Sequence, residues 1–267
     1  MGFEINDVTS KIIQRGLAET SKAIENSIVR ISYGKQTKAM ENAANLMISE
    51  GMEAQRRGSQ QAAQNVQMGL NLLSTAESGL SSVNDNLQRI RELAVQRENG
   101  TYSESDKAAI DAEIKSRMEE IDRVSKSTSY NDIKLLDGSA NELTLQVGPD
   151  AEKETNTLNV GSALGSVSTS ELGLNPEDED FINKIDSALE RVTGMRSDIG
   201  AMSNRLGSAL NSLYVQNENL TAAQSRLIDV DMATEMSKLT QNQILQNAST
   251  SLMAQANQSP GIASILL

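Results

Sequence analysis

Ser32-Tyr33-Gly34-Lys35 has the S-x-x-K spacing with which serine acyl enzymes set a nucleophilic hydroxyl beside a lysine. The companion S-D-N and K-T-G motifs are absent, so the spacing reads as coincidence. Asp229-Val230-Asp231 opens like a calcium loop but lacks the glycine at the sixth position. The acidic run Glu177, Asp178, Glu179 and Asp180 has the charge of a metal site. It also suits the first turn of a helix, where the backbone dipole favours anions, and that reading needs no added ion. No G-x-x-x-x-G-K-[ST] phosphate loop occurs. With no His and no Cys in 267 residues, zinc sites of those ligands, thiol nucleophiles and histidine bases are excluded. The expectation is a protein that is not an enzyme and needs no cofactor or metal.

Composition narrows the remaining classes. Net charge is −12, from 36 acids and 24 bases, which opposes a general nucleic-acid partner because phosphates call for a basic face. No stretch has the length of a membrane span. The opening residues lack a basic segment followed by an apolar run, so export with a cleaved signal peptide is not expected. Aromatics are only 2% of the chain, with Phe3 and Phe181 the two phenylalanines. Burial must come from Leu, Ile, Val, Met and Ala contacts along a line, as in a coiled coil.

The elements that supply such a line are legible. Ile185, Val192, Ile199, Leu206, Leu213, Leu220 and Leu227 recur every seven residues. Val66, Leu73, Leu80, Leu87 and Ala94 do the same earlier. A second rung follows each step by three residues: Ala188, Met195, Met202, Ala209, Gln216 and Ala223 late, and Gly69, Ala76, Val83 and Ile90 early. Unbroken heptads without proline predict long helices lying along one another, and the many small second-rung residues predict close approach of their axes.

Between the ladders the signals change. Ile5, Val8, Ile12, Ile24, Ile28 and Ile31 stripe a first helix that ends at Tyr33-Gly34, with a connector over 35–42. A second helix follows from about 43 to 96, roughly 80 Å long, and ends at Asn99-Gly100. A third starts after Ser103, with Asp106 completing a near capping box and Ile110, Ile114, Met118, Ile121 and Val124 as its stripe. Leu143, Leu145 and Val147, and then Leu158 and Val160, alternate with polar residues and predict a small hairpin. Asn175 and Pro176 predict the start of a helix over about 178–228. A last segment over 233–256 carries Met236, Leu239, Leu245, Leu252 and Met253, and an apolar tail ends in Leu266 and Leu267. An exposed tail of that kind predicts burial in an assembly.

These residues carry a resemblance. Glu218-Asn219-Leu220-Thr221-Ala222-Ala223-Gln224-Ser225-Arg226-Leu227-Ile228-Asp229-Val230-Asp231, Gln243-Ile244-Leu245-Gln246 and Leu252-Met253-Ala254-Gln255-Ala256-Asn257-Gln258 resemble the C-terminal region of bacterial flagellins. Arg30-Ile31-Ser32-Tyr33-Gly34, Met52-Glu53-Ala54-Gln55, the run from Leu87 through Gln96, Tyr130-Asn131 and Lys134-Leu135-Leu136-Asp137-Gly138 resemble the N-terminal region. The resemblance departs at Glu41-Asn42, where an Asp-Asp pair is usual, and in a connector about one residue shorter.

The resemblance implies a mainly α fold. A long antiparallel helical bundle carries a small β-hairpin region at about 138–173, and N- and C-terminal helices pair in the filament core. It implies an inner filament domain over 1–42, a bundle over 43–231, a second inner segment over 232–267, and no large outer domains. It implies a structural subunit that self-assembles into the helical flagellar filament used for motility, secreted to the extracellular flagellum. The rival functions are a hook–filament junction protein or a secreted coiled-coil binding module. Assembly would fall to the terminal helices, through Ile5, Val8, Ile12, Ile24, Ile28, Ile31, Met236, Leu239, Leu245, Leu252, Leu266 and Leu267. Implied partners are further copies of the chain, an export chaperone, and filament cap and junction proteins. The Toll-like receptor that senses flagellin would contact Arg89, Leu93 and Glu113. Residues 1–40 and 232–267 are expected to order on assembly, so the strong heptads mark the prefolded part and the weaker terminal stripes the assembling part.

Overall fold

The computed structural model describes the backbone of residues 2–36, 39–178 and 180–265, and side chains at 8, 10–36, 43–178 and 180–255. The Ile5 side chain and all of Leu266 and Leu267 therefore lie outside the described residues.

The first helix, α1 (Gly2–Tyr33), stops where the sequence signals it. Gly34 takes φ +66°, a left-handed conformation that a Cβ would strain, and its N–H donates to the Arg30 carbonyl at 2.8 Å. The second helix, α2 (Ala39–Arg97), starts four residues before the expected 43. Ala39, Met40, Glu41 and Asn42 contain no breaker, and three of the four favour helix, so the connector is shorter than its polarity suggested. The third, α3 (Glu104–Ser127), has a complete capping box. Asp106 N–H donates to Ser103 Oγ at 3.3 Å and Ser103 N–H to Asp106 Oδ2 at 3.0 Å.

Two small antiparallel sheets follow. Strand β1 (Ser129–Tyr130) pairs with β2 (Ile133–Lys134), and β3 (Thr144–Gln146) with β4 (Thr157–Asn159), with Leu145 opposite Leu158. The second pair is the expected hairpin, and a helical turn, α4 (Lys153–Asn156), lies within its connection. The first precedes the expected span of 138–173. It closes on Asn131 and Asp132 at φ 49° and 64°, a two-residue turn whose left-handed pair matches strand twist.

The next long helix, α5 (Phe181–Ile228), starts later than the expected 178. Asn175 does not cap it. Its side chain accepts from the Glu177 N–H at 3.2 Å, and the Asp178 N–H returns to the Asn175 carbonyl at 3.1 Å, closing a separate turn. Glu177, Asp178 and Asp180 therefore precede the helix, and Asp178 pairs with the Lys184 ammonium. The last helix, α6 (Met232–Ile265), runs past the expected end at 256 and through Pro260. Proline removes one donor but did not end the helix here.

The chain divides into two compact units. One takes in residues 54–219. Its core holds the early ladder and the late ladder as far as Leu213, with Ile110, Ile114, Ile121 and Val124 of α3 and Leu135, Leu136, Val160 and Val167 of the intervening segments. Ion pairs cross its surface from α2 to α3 (Arg89–Glu113, Arg97–Asp111) and from α2 to α5 (Arg91–Asp186, Glu77–Arg196). The small second rung serves more than helix approach. A Cβ on Gly69 would stand 2.2 Å from Leu145 Cδ1, so this glycine admits the hairpin onto α2.

The other unit takes in residues 1–53 and 220–267, and so includes 43–53 and 220–231 beyond the expected inner segments. Gln224 of α5 donates to the Ser49 carbonyl of α2 at 3.4 Å, and Ser49 is buried. This unit contains α1 and α6, which pack along each other.

Candidate assembly interface

The chain reversals that bring α1 and α6 together are built from backbone. The Gln36 N–H donates to the Ile228 carbonyl at 2.7 Å, and the Val230 N–H to the Gly34 carbonyl at 3.1 Å. Lys35 and Asp229 thereby form an antiparallel bridge between the α1–α2 and α5–α6 connectors. Asp231 then caps α6, accepting from the Ala233 N–H at 3.0 Å and the Thr234 hydroxyl at 2.7 Å. Those hydrogen bonds hold its carboxyl below the ordinary range. Asp229 accepts from the Ser225 hydroxyl at 2.6 Å. The pair that looked like the start of a calcium loop is a helix end and a helix start.

The seam between α1 and α6 is regular. Every residue of α6 from 235 to 255 that is not exposed belongs to the set Glu235, Leu239, Asn242, Gln246, Ser249 and Met253, a strict 4-3 spacing. On α1, Ile13, Leu17, Thr20, Ile24, Ser27 and Ile31 follow the same spacing, and all are buried or half-buried. Hydrogen bonds cross between the two helices, among them Ser27 Oγ to Glu235 Oε1 at 2.8 Å and Gln246 Nε2 to Ser21 Oγ at 3.0 Å. These pairs advance in opposite directions along the two helices, so the helices are antiparallel.

Glu235 and Ser27 are the fully buried members of this seam. Arg30 Nη1 reaches Glu235 Oε1 at 3.3 Å and Lys238 Nζ reaches Oε2 at 3.5 Å. Burial pushes the Glu235 carboxyl up. The Ser27 hydrogen bond and the two cations outweigh it and hold the carboxyl below its ordinary value of 4.5.

The terminal apolar residues fall into two groups that their sequence pattern does not separate. Ile24, Ile31 and Leu239 are half-buried in the seam. Val8, Ile12, Ile28, Met236, Leu245 and Leu252 face outward and are exposed. Met232, Ile244 and Tyr33, which the sequence reading did not select, are exposed as well. Val8, Ile12, Ile244 and Leu252 are 55–63% exposed, so pairing α1 with α6 leaves much of the apolar surface of both helices uncovered. The seam of α6 is the polar side of its heptads. Only accessibility in the folded pair reveals this, because Leu245 and Leu252 repeat every seven residues as Leu239 and Gln246 do.

The three residues expected to meet a receptor sit in the other unit. Arg89 donates from Nε and Nη2 to Glu113 Oε1 at 3.1 and 3.0 Å and from Nη1 to Glu92 at 2.9 Å. Those acceptors raise the pKa of its guanidinium. Leu93 is 2% exposed and belongs to the core beneath them, so it is not on the surface with the other two.

Comparison with known proteins agrees with this architecture. The family model of the bacterial flagellin N-terminal helical region matches residues 5–141, and that of the C-terminal helical region matches residues 182–263. A flagellin of Halalkalibacterium halodurans is 40% identical over 249 residues, covering 91% of this chain and 90% of its own length. The flagellar filament 33 kDa core protein of Treponema phagedenis is 34% identical over 277 residues, covering 95% of both chains. A flagellin of Bacillus subtilis is 35% identical over 285 residues, covering 91% and 92%. With both helical regions matched and relatives aligned over nearly their whole length, the chain belongs to the bacterial flagellin family.

Proposed function

We propose that this chain is a structural subunit that self-assembles into a bacterial flagellar filament for motility, outside the cell. The observation that carries the reading is the exposed apolar surface left when α1 and α6 pair. A lone molecule gains nothing from exposing Val8, Ile12, Ile244 and Leu252 together. Burying them against further copies through unlike surfaces gives open helical growth. The test is polymerisation of the purified protein beside Ile244→Glu and Leu252→Glu. The wild type is expected to form long filaments by electron microscopy. The variants are expected to remain monomeric with the melting temperature of the 54–219 unit unchanged. Filaments of wild-type yield from both variants would overturn the assignment of this surface.

The finer partners belong to the same reading. Ile5, Leu266 and Leu267 extend the assembly surface by their sequence pattern. An export chaperone, a filament cap and junction proteins are the partners that family membership suggests, with export independent of a cleaved signal. Recognition by the flagellin-sensing Toll-like receptor falls to Arg89 and Glu113, and Leu93 supports them from below.

A further inference from the structure

We propose that Asn99 is a site of intramolecular deamidation: the Gly100 nitrogen closes on the Asn99 side-chain amide, whose oxygen is held by the N–H and the hydroxyl of Thr101. The proposal stands apart from the assembly reading and applies to a lone chain.

The site is the turn between α2 and α3. Asn99-Gly100 is the one Asn-Gly pair in the chain. Asn99, Gly100 and Thr101 are all exposed, so water reaches the amide. Gly100 has no Cβ to shield its nitrogen, and its N–H meets no acceptor among the described residues. Helices protect other asparagines. After Asn84, Asn86 and Asn183 the next N–H is committed to the helical ladder.

The amide oxygen is held on two sides. Thr101 N–H donates to Asn99 Oδ1 at 3.1 Å and the Thr101 hydroxyl donates to it at 3.0 Å. These bonds fold the side chain forward over the residue that carries the attacking nitrogen. The main chain there is tied as well, with the Asn99 N–H donating to the Gln96 carbonyl at 3.2 Å and the Tyr102 N–H to the Asn99 carbonyl at 3.3 Å. As the nitrogen adds, negative charge grows on Oδ1, and the two Thr101 donors meet it.

The reaction balances with water alone. Gly100 N gives its proton to solvent base and bonds to Asn99 Cγ. The Cγ–Nδ2 bond breaks, and Nδ2 takes a proton and leaves as ammonia. Water then opens the five-membered imide at one of its two carbonyls. Opening at Cγ gives aspartate. Opening at the backbone carbonyl gives isoaspartate, with the main chain rerouted through the side chain. One water is consumed, one ammonia is released, and nothing is oxidised or reduced. Either product adds a carboxylate just past the end of α2, where the helix dipole disfavours negative charge.

The turn does not itself require the glycine. A Cβ on Gly100 would meet nothing within 4 Å beyond its chain neighbours, and its φ is not left-handed. Gly100→Ala therefore tests the attack with the fold intact.

Purified full-length protein is held at mildly alkaline pH and then cut with trypsin. Cleavage after Arg97 and Lys107 releases residues 98–107, in which Asn99 is the only side-chain amide. Conversion reads as a gain of about 1 Da, and chromatography separates aspartate from isoaspartate. This peptide is expected to convert faster than every other asparagine-containing peptide, faster still as pH rises, and to yield isoaspartate. Gly100→Ala is expected to slow it at least about tenfold, and Thr101→Val about threefold. Aspartate without isoaspartate would mean direct hydrolysis by water and would overturn attack by Gly100. An unchanged rate in Thr101→Val would dismiss its hydroxyl as a donor. A synthetic peptide of residues 98–107 that converts several-fold faster than the folded protein would show that the turn shields Asn99, and the proposal would fall.

Discussion

At the scale of residues, three carboxylates hold the chain to itself: Asp231 at the start of α6, Asp106 at the start of α3 and Glu235 in the seam. Glu235 titrates with a folded pKa below its ordinary 4.5. Its stabilising contribution is therefore complete above that ordinary value and is lost as pH falls through it toward the lower folded value. Hydrogen exchange of α1 and α6 in the polymer, followed from about pH 6 to pH 3, is expected to show their protection falling across that range. Ser27→Ala removes the bond that favours the charged form, so the loss is expected to move to higher pH. At neutral pH the same substitution is expected to cost about 1–3 kcal/mol. Unchanged protection down to the lowest pH would remove Glu235 from this role. Arg89→Ala is the second residue-scale prediction. Its ion pairs are on the surface, so melting of the 54–219 unit is expected to hold. Binding to the flagellin-sensing receptor is expected to weaken at least about tenfold. Equal binding by both proteins would dismiss Arg89 as a contact.

Elements here are specified unequally. The two ladders are buried from Val66 to Ala94 and from Ile185 to Leu213, because their heptads face a common core with α3. Leu206→Ala, at a fully buried rung, is expected to cost about 2–5 kcal/mol in chemical denaturation. A loss under 1 kcal/mol would mean that this rung repacks freely. Ser103→Ala breaks a capping box and is expected to cost about 1 kcal/mol. The hairpin and α2 fit each other through Gly69. Gly69→Ala is expected to destabilise by about 1–3 kcal/mol, with most of that recovered when Leu145 is also cut back to Ala. Purely additive losses would show that Gly69 serves helix approach alone. The extra hairpin at 129–134 was legible in Asn131-Asp132, a polar pair between Tyr130 and Ile133. Its strands have only two residues each, too short for alternation to show.

On the scale of the whole molecule, the two units answer different demands. The unit of residues 54–219 buries its strongest heptads internally. The unit of 1–53 and 220–267 pairs α1 with α6 through a seam rich in polar residues and leaves large apolar side chains outside. The terminal helices are therefore expected to gain apolar burial from neighbouring subunits. Hydrogen exchange on monomer and filament tests this. Residues 1–40 and 232–267 are expected to gain protection on polymerisation while the core ladders stay protected in both states. Equal protection of the ends in both states would contradict it.

By itself the sequence determined the helical class, the absence of histidine and cysteine chemistry, the long helices, and the division between strong and weak stripes. These follow from composition and from period, which are properties of single segments. Tertiary structure alone decided which face of each terminal helix lies in the seam. The heptad containing Leu245 and Leu252 and the heptad containing Leu239 and Gln246 have the same period, and period carries no direction. It also decided where Glu235 sits. A glutamate on a helix reads as a solvated side chain until Ser27 and Arg30, more than 200 positions away in the chain, fold against it. The start of α5 was settled in the same way, by a closed turn at Asn175 and Pro176 whose hydrogen bonds compete locally with the helix that the same residues signal.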